Sequence, residues 1–131
     1  MLKSYKELKV WDKSYKLCLE IYKITKKFPS EEKYGLSLQI RRSSVSIPSN
    51  IAEGYGRKST QEYIRHLYVA YGSYCELETQ ILLSIDLGYV KDEAKRRVLE
   101  MTREVERMLK ALINSLEEKI LKKRTLESLT P

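Results

Sequence analysis

The chain holds one histidine, two cysteines, one tryptophan and one phenylalanine in 131 residues, and only five glycines and three prolines. So little glycine and proline argues against an all-β or disordered chain and suits one built of helices. A di-iron bundle needs Glu-x-x-His pairs on two helices, and the single histidine, His66, has Tyr63 three positions before it. A zinc site lacks ligands for the same reason. Cys18 and Cys75 fall at apolar helical positions and are expected to be buried free thiols. No apolar run reaches a membrane span, and the N-terminus has no apolar signal core. No membrane partner is therefore expected, and the chain is expected in the cytoplasm. Catalysis would need His66 to meet a nucleophile, and its position falls off the apolar face of its segment. No catalytic residue, no metal and no cofactor is expected; a hydrolase using Glu53 or Glu78 is the distant alternative.

What is present in excess is charge, mostly positive. Lys and Arg number 25 against 18 acids, a formal +7. Residues 1–30 carry a net +5, residues 31–58 a net +2, residues 59–90 a net −3 and residues 91–131 a net +3. Such a balance suits a polyanion through steering and counterion release, or solubility alone.

Periodicity divides the chain into four helices, expected at about 5–27, 31–54, 59–86 and 92–122. They form a single domain over 1–122, followed by a basic, disordered tail at 123–131. Short connections then give an all-α, antiparallel up-down-up-down four-helix bundle. In the first segment Val10, Leu17, Ile21, Ile24 and Phe28 make one stripe, and Leu8, Trp11, Tyr15, Cys18 and Tyr22 a second. Together they span roughly 220° of arc, more than one core covers. The excess predicts a contact with another subunit through Trp11, Tyr15 and Tyr22. Lys9, Lys13, Lys16, Lys23 and Lys27 share the remaining arc, either as a solvated face or as a nucleic-acid stripe. On the fourth segment Arg96, Arg103, Arg107 and Lys110 gather in the same way, diluted by glutamates 100, 104 and 106.

The second segment has two opposed apolar faces, Leu36/Ile40/Ile47/Ile51 and Tyr34/Leu38/Val45/Ala52, so a sandwiched helix is expected. A polar seam of Gln39, Arg42, Ser46, Ser49, Asn50 and Glu53 lies between them, and Pro48 should bend the helix. Ser30 is expected to cap this segment, Ser59 the third through a capping box with Glu62, and Asp92 the fourth. Glu78 sits amid the apolar face of the third segment and needs a partner, Arg41 or Arg42. Arg41, Arg42, Ser46, Asn50, Glu53 and Glu78 thus compose an expected polar core. Arg57 and Lys58, just before the free amides of the third helix, form either a capped turn or an anion site.

The string from Gln39 to Arg57, with its Ser-Ile-Pro-Ser-Asn-Ile-Ala-Glu-Gly centre, resembles the bacterial 23S rRNA intervening-sequence protein family. The likeness continues through Tyr63–Ala70 and Gly72–Gln80 and covers roughly residues 5–90. It implies a four-helix bundle, commonly a ring-like homopentamer, similar to the accessory protein of diversity-generating retroelements. It marks Arg41, Ser46, Asn50, Glu53, Gly54, Glu76 and Glu78 as signature positions, none of them catalytic. The expected function is non-enzymatic binding of RNA or DNA phosphates through Lys9, Lys13, Lys16, Lys23, Lys27, Arg57, Lys58, Arg96, Arg103, Arg107 and Lys110. A protein-interaction scaffold, for example an accessory factor for a reverse transcriptase, is the alternative.

Overall fold

The computed structural model describes residues 3–129 and, among these, is all α-helical, with no strand. Four helices follow a 3₁₀ turn at Tyr5–Glu7: α1 Lys9–Thr25, α2 Leu36–Tyr55, α3 Thr60–Asp86 and α4 Asp92–Ser128. A second 3₁₀ turn, Ser30–Glu32, lies between α1 and α2. Each helix packs on two others, α1 on α2 and α4, α3 on α2 and α4.

The core follows from the spacing of the apolar residues. Leu17 and Ile21 of α1, Ile40, Ile47 and Ile51 of α2, Leu67, Tyr74, Leu77 and Ile81 of α3, and Val98, Val105 and Leu109 of α4 are all nearly inaccessible to water. These positions recur every three or four residues, so each helix turns one stripe inward.

The helix ends depart from expectation at three places. Ser30 starts only the 3₁₀ turn, and α2 begins later, at Leu36, behind Gly35 with no side-chain cap. Asp92 caps nothing: Lys91 is the N-cap of α4, while Asp92 has a φ of 57°. Past residue 122, where a disordered tail was expected, α4 continues as helix to Ser128; residues 130 and 131 lie outside the described part. Residues 119–129 are mostly exposed. Helical hydrogen bonding along the backbone, which hydropathy does not register, carries the segment on. Two other ends have a plain local cause. Ser59 Oγ accepts the amide of Glu62 at 3.1 Å, and Gly88 closes α3 at φ 80°, where a β-carbon is disfavoured.

The α2–α3 contact is the most extensive in the fold. At Gly54 a β-carbon would lie 2.7 Å from His66 Cβ and 3.2 Å from the Tyr63 carbonyl, so the helices meet there without a side chain between them. Further along, Ser43 donates to Gln80 Oε1 at 2.6 Å, and Ser46 and Ser73 share a hydrogen bond of 2.7 Å.

Two substitutions separate close approach from helix propensity. Gly54→Ala should lower stability by about 1–3 kcal/mol through overpacking, although alanine is the better helix former. Gly72 has nothing within 4 Å of the same position. Gly72→Ala should therefore raise stability by roughly 0.5–1 kcal/mol. Urea denaturation followed by circular dichroism measures both, and a shift of the same sign in the two variants would contradict the close approach.

Candidate nucleic-acid interface

The residues expected to make a polar core do not meet. Arg41 Nε donates to Thr25 Oγ1 at 2.7 Å, and its guanidinium lies 4.6 Å from the centre of the Tyr22 ring. Arg42 and Glu53 are exposed, Glu53 pairing with Arg57 at 2.7 Å. Glu78, expected to bind Arg41 or Arg42, accepts a hydrogen bond from the buried Tyr74 hydroxyl, one turn earlier on α3, at 2.7 Å. Burial and this carboxylate together push the Tyr74 hydroxyl strongly up in pKa. Only Ser46 and Asn50 join as expected: Asn50 Nδ2 donates to the Ser46 carbonyl at 2.8 Å and to its hydroxyl at 3.0 Å.

The polar groups inside the α2–α3 contact are largely others. His66, expected off the core, is 6% exposed, and its Nδ1 and the Tyr63 hydroxyl are buried without a partner among the described residues. Sequence spacing missed His66 because α3 buries it beneath Gly54, a residue with no side chain to announce the contact. The cysteines are a further correction: Cys18 is half-buried and Cys75 exposed, since α3 turns Cys75 away from its neighbours; both are free thiols.

The second apolar face of α2 is not sandwiched within the chain: Tyr34 is 81% and Val45 40% exposed. Together with the second stripe of α1 it lines an apolar groove of about 370 Å3, walled by Trp11, Tyr15, Cys18, Val45, Pro48 and Ala52. Trp11 stacks on Tyr15 there, centres 5.1 Å apart, whereas Tyr22 lies beyond the groove beneath Arg41.

The expected lysine stripe divides into paired and free cations. Lys13 reaches Glu104 of α4 at 3.1 Å, and Lys16 reaches Asp12 at 3.0 Å. On α4, Arg96 is held between Glu93 and Glu100, and Lys110 meets Glu106 at 3.2 Å with its ammonium above the Tyr71 ring. The hydrogen bond from Arg96 draws the Glu93 carboxyl below its usual range, and the one to Glu106 raises the Lys110 ammonium, so each pair stays ionised and largely self-neutralised. Lys9, Lys23, Lys27, Lys58, Arg103 and Arg107 make no ion pair among the described residues and are all exposed.

Free charge collects in two clefts that the sequence alone does not indicate. One, of about 460 Å3, brings Lys23 and Lys27 together with Lys91 and Arg97, and no carboxylate lines it. Arg97 is anchored from behind by the nearly buried Glu20 at 3.1 Å. The other, of about 660 Å3, joins Lys58 and the first residues of α3 to Lys119, Lys123 and Arg124 of α4, with Glu127 alone opposing them. Lys91 and Lys123 are 32 residues apart, about 48 Å along α4. No group of His, Cys, Asp and Glu suited to a metal occurs among the described residues, and no helix there is long and apolar enough to cross a membrane.

These features define an all-α, four-helix protein with a polar-lined α2–α3 contact and free cations grouped in clefts near both ends of α4. The model of the 23S rRNA-intervening sequence protein family matches residues 6–111, and the chain belongs to that family. It is similar to the crystal structure of a protein of unknown function, from the S23 ribosomal protein family of Bacteroides thetaiotaomicron. The two share 28% identity at a TM-score of 0.73, covering 79% of this chain and 97% of that one. None of the curated proteins compared matches the chain.

The unpartnered Tyr63 hydroxyl sets a pH dependence. Burial, with Tyr55 beside it, pushes its pKa up from 10.0 to about 12. The folded state thus favours the neutral phenol. That contribution is complete below pH 10 and is lost as pH rises toward 12. Tyr63→Phe should leave stability at neutral pH nearly unchanged, since no hydrogen bond is lost, and should reduce the loss in this alkaline window. Thermal melts from pH 8 to 12 test it; identical alkaline profiles for both proteins would contradict the assignment.

Proposed function

We propose that this protein is a non-enzymatic binder of nucleic acid that grips the phosphate backbone through its cation-rich ends. One observation carries the reading: Lys23, Lys27, Lys58, Lys91, Lys119, Lys123 and Arg124, none with an acidic partner among the described residues, are grouped in two clefts, while Lys13, Lys16, Arg96 and Lys110 on the intervening faces are paired with neighbouring acids. A cation already paired has little to gain from a phosphate, because its counterion is a fixed carboxylate rather than a mobile salt ion. Free cations in a concave site release mobile counterions on binding and gain correspondingly. The reading therefore takes Lys23, Lys27 and Lys58 as binding residues, with Lys91, Lys119, Lys123 and Arg124 added. Lys9, Arg103 and Arg107 serve as exposed auxiliary contacts, and Lys13, Lys16, Arg57, Arg96 and Lys110 contribute less.

The working form, on this proposal, is a ring-like homo-oligomer of up-down-up-down bundles, a pentamer by family resemblance. The apolar groove between α1 and α2 supports it. Tyr15, Leu19 and Val45 remain 47%, 56% and 40% exposed in the single chain, a clustered apolar surface that a second copy would cover.

Binding to duplex and single-stranded RNA across a salt series tests the first part. Affinity should fall steeply with salt, and Lys23→Gln combined with Lys27→Gln should lower it by about 10-fold while flattening the salt slope by about two charges. Affinity independent of salt would refute the reading. For the second part, Leu19→Glu should yield a folded chain of lower mass in light scattering than the unchanged protein. An unchanged protein that is monomeric at tens of micromolar would refute the oligomer.

A further inference from the structure

A third concave site, distinct from the two cation-rich clefts, lies where the end of α1, the loop after it and the first turns of α2 meet. It encloses about 550 Å3 and is lined by three cations, Lys26, Lys33 and Arg41, with no carboxylate among its walls. Neither Glu31 nor Glu32 is among the lining residues. Glu32 spends one oxygen on the Leu36 amide and the other on the Tyr89 hydroxyl, at 3.3 and 2.9 Å.

Arg41 is set for binding rather than for a structural pair. Its Nε is fixed on Thr25, itself tied to the Ile21 carbonyl at 2.7 Å, and its plane is held against Tyr22. One further contact, Nη2 to the Tyr22 carbonyl, is long at 3.5 Å. Most of the guanidinium fork therefore remains available, immobilised and without a counter-charge, which is the arrangement a phosphate oxygen pair fits.

Two further groups converge on the same space. Ser37 is 8% exposed, lines the cleft, and its hydroxyl has no hydrogen-bond partner among the described residues. It belongs to the first turn of α2, where the Leu36 amide is already taken by Glu32 Oε1. An unpartnered hydroxyl beside a fixed guanidinium, in a cleft walled by cations, suits an acceptor-rich ligand. At the rim the Tyr34 ring is 81% exposed, with the Lys33 ammonium 5.4 Å from its centre. One face of that ring stays open to a planar group.

We propose that this cleft binds a nucleoside monophosphate unit, its phosphate on Arg41 and Ser37, and its base on Tyr34. The phosphate could belong to a free nucleotide or to the phosphorylated end of a strand; the chemistry at Arg41 is the same. The site uses none of the residues assigned above to backbone binding, so the two can fail separately.

Calorimetric titration of the full chain with AMP, adenosine, inorganic phosphate and a trinucleotide with and without a 5′-phosphate tests the proposal. AMP should bind saturably, and adenosine at least about 10-fold more weakly for want of the charged hydrogen bonds. Arg41→Gln should weaken AMP by at least about 10-fold with helix content unchanged by circular dichroism. Tyr34→Ala, at an exposed position that folding does not depend on, should weaken AMP but leave inorganic phosphate unaffected. A phosphorylated trinucleotide binding more tightly than AMP supports a strand end as the source; the reverse order supports a free nucleotide. No saturable binding of AMP, or equal binding of AMP and adenosine, would overturn the proposal. So would affinity for AMP indifferent to both substitutions. Long RNA bound equally well by Arg41→Gln would keep this site apart from the backbone interface.

Discussion

Helices α2 and α3 touch where Gly54 has no room for a β-carbon above His66, and much of the rest of the architecture follows from that closeness. Two helices this near exclude bulky side chains along part of their seam, leaving small polar ones: Ser43 with Gln80, and Ser46 with Ser73. Each pair satisfies itself across the seam, which is the condition for placing hydroxyls and amides among isoleucines and leucines. Slipping one helix by a residue would break both bonds and drive a side chain into Gly54. The seam thus specifies the relative position of α2 and α3 more sharply than aliphatic packing does, since aliphatic contacts tolerate sliding.

That seam also explains where the charge lies. With α2 and α3 committed to each other, α1 and α4 close over the remaining apolar stripes and tie together at Lys13–Glu104 and Arg97–Glu20. Local pairs then neutralise several cations on the helix flanks, among them Lys16, Arg96 and Lys110. At the ends, loops and neighbouring helix termini bring together unpaired cations distant in sequence, such as Lys58 with Lys123 and Lys27 with Lys91.

Arg41 shows how the same residue types acquire different work. From spacing it is as good a partner for Glu78 as Arg42 is, and a buried carboxylate opposite two arginines is a reasonable expectation. Glu78 instead takes the Tyr74 hydroxyl on its own helix, which satisfies it without a charge and without crossing the core. Arg41, released from that role, sits over the Tyr22 ring with Nε on Thr25 and lines a cleft that contains no acid. The second face of α2, and with it Tyr34, similarly finds no cover within the chain.

Read alone, the amino-acid order determined that the chain is built of four helices, which stripes they bury, the family, and the excess of positive charge. These are properties of three-and-four spacing, of composition and of one long motif, and each is local. Tertiary structure alone decided that His66 is buried, that Glu78 pairs within α3, and which cations remain free. The physical reason is common to these cases: partner choice among charged and polar side chains depends on which helix faces adjoin and on how closely. A glycine that admits a neighbouring helix leaves no trace in hydropathy, and a carboxylate one turn from a tyrosine looks no different in sequence from one waiting for an arginine.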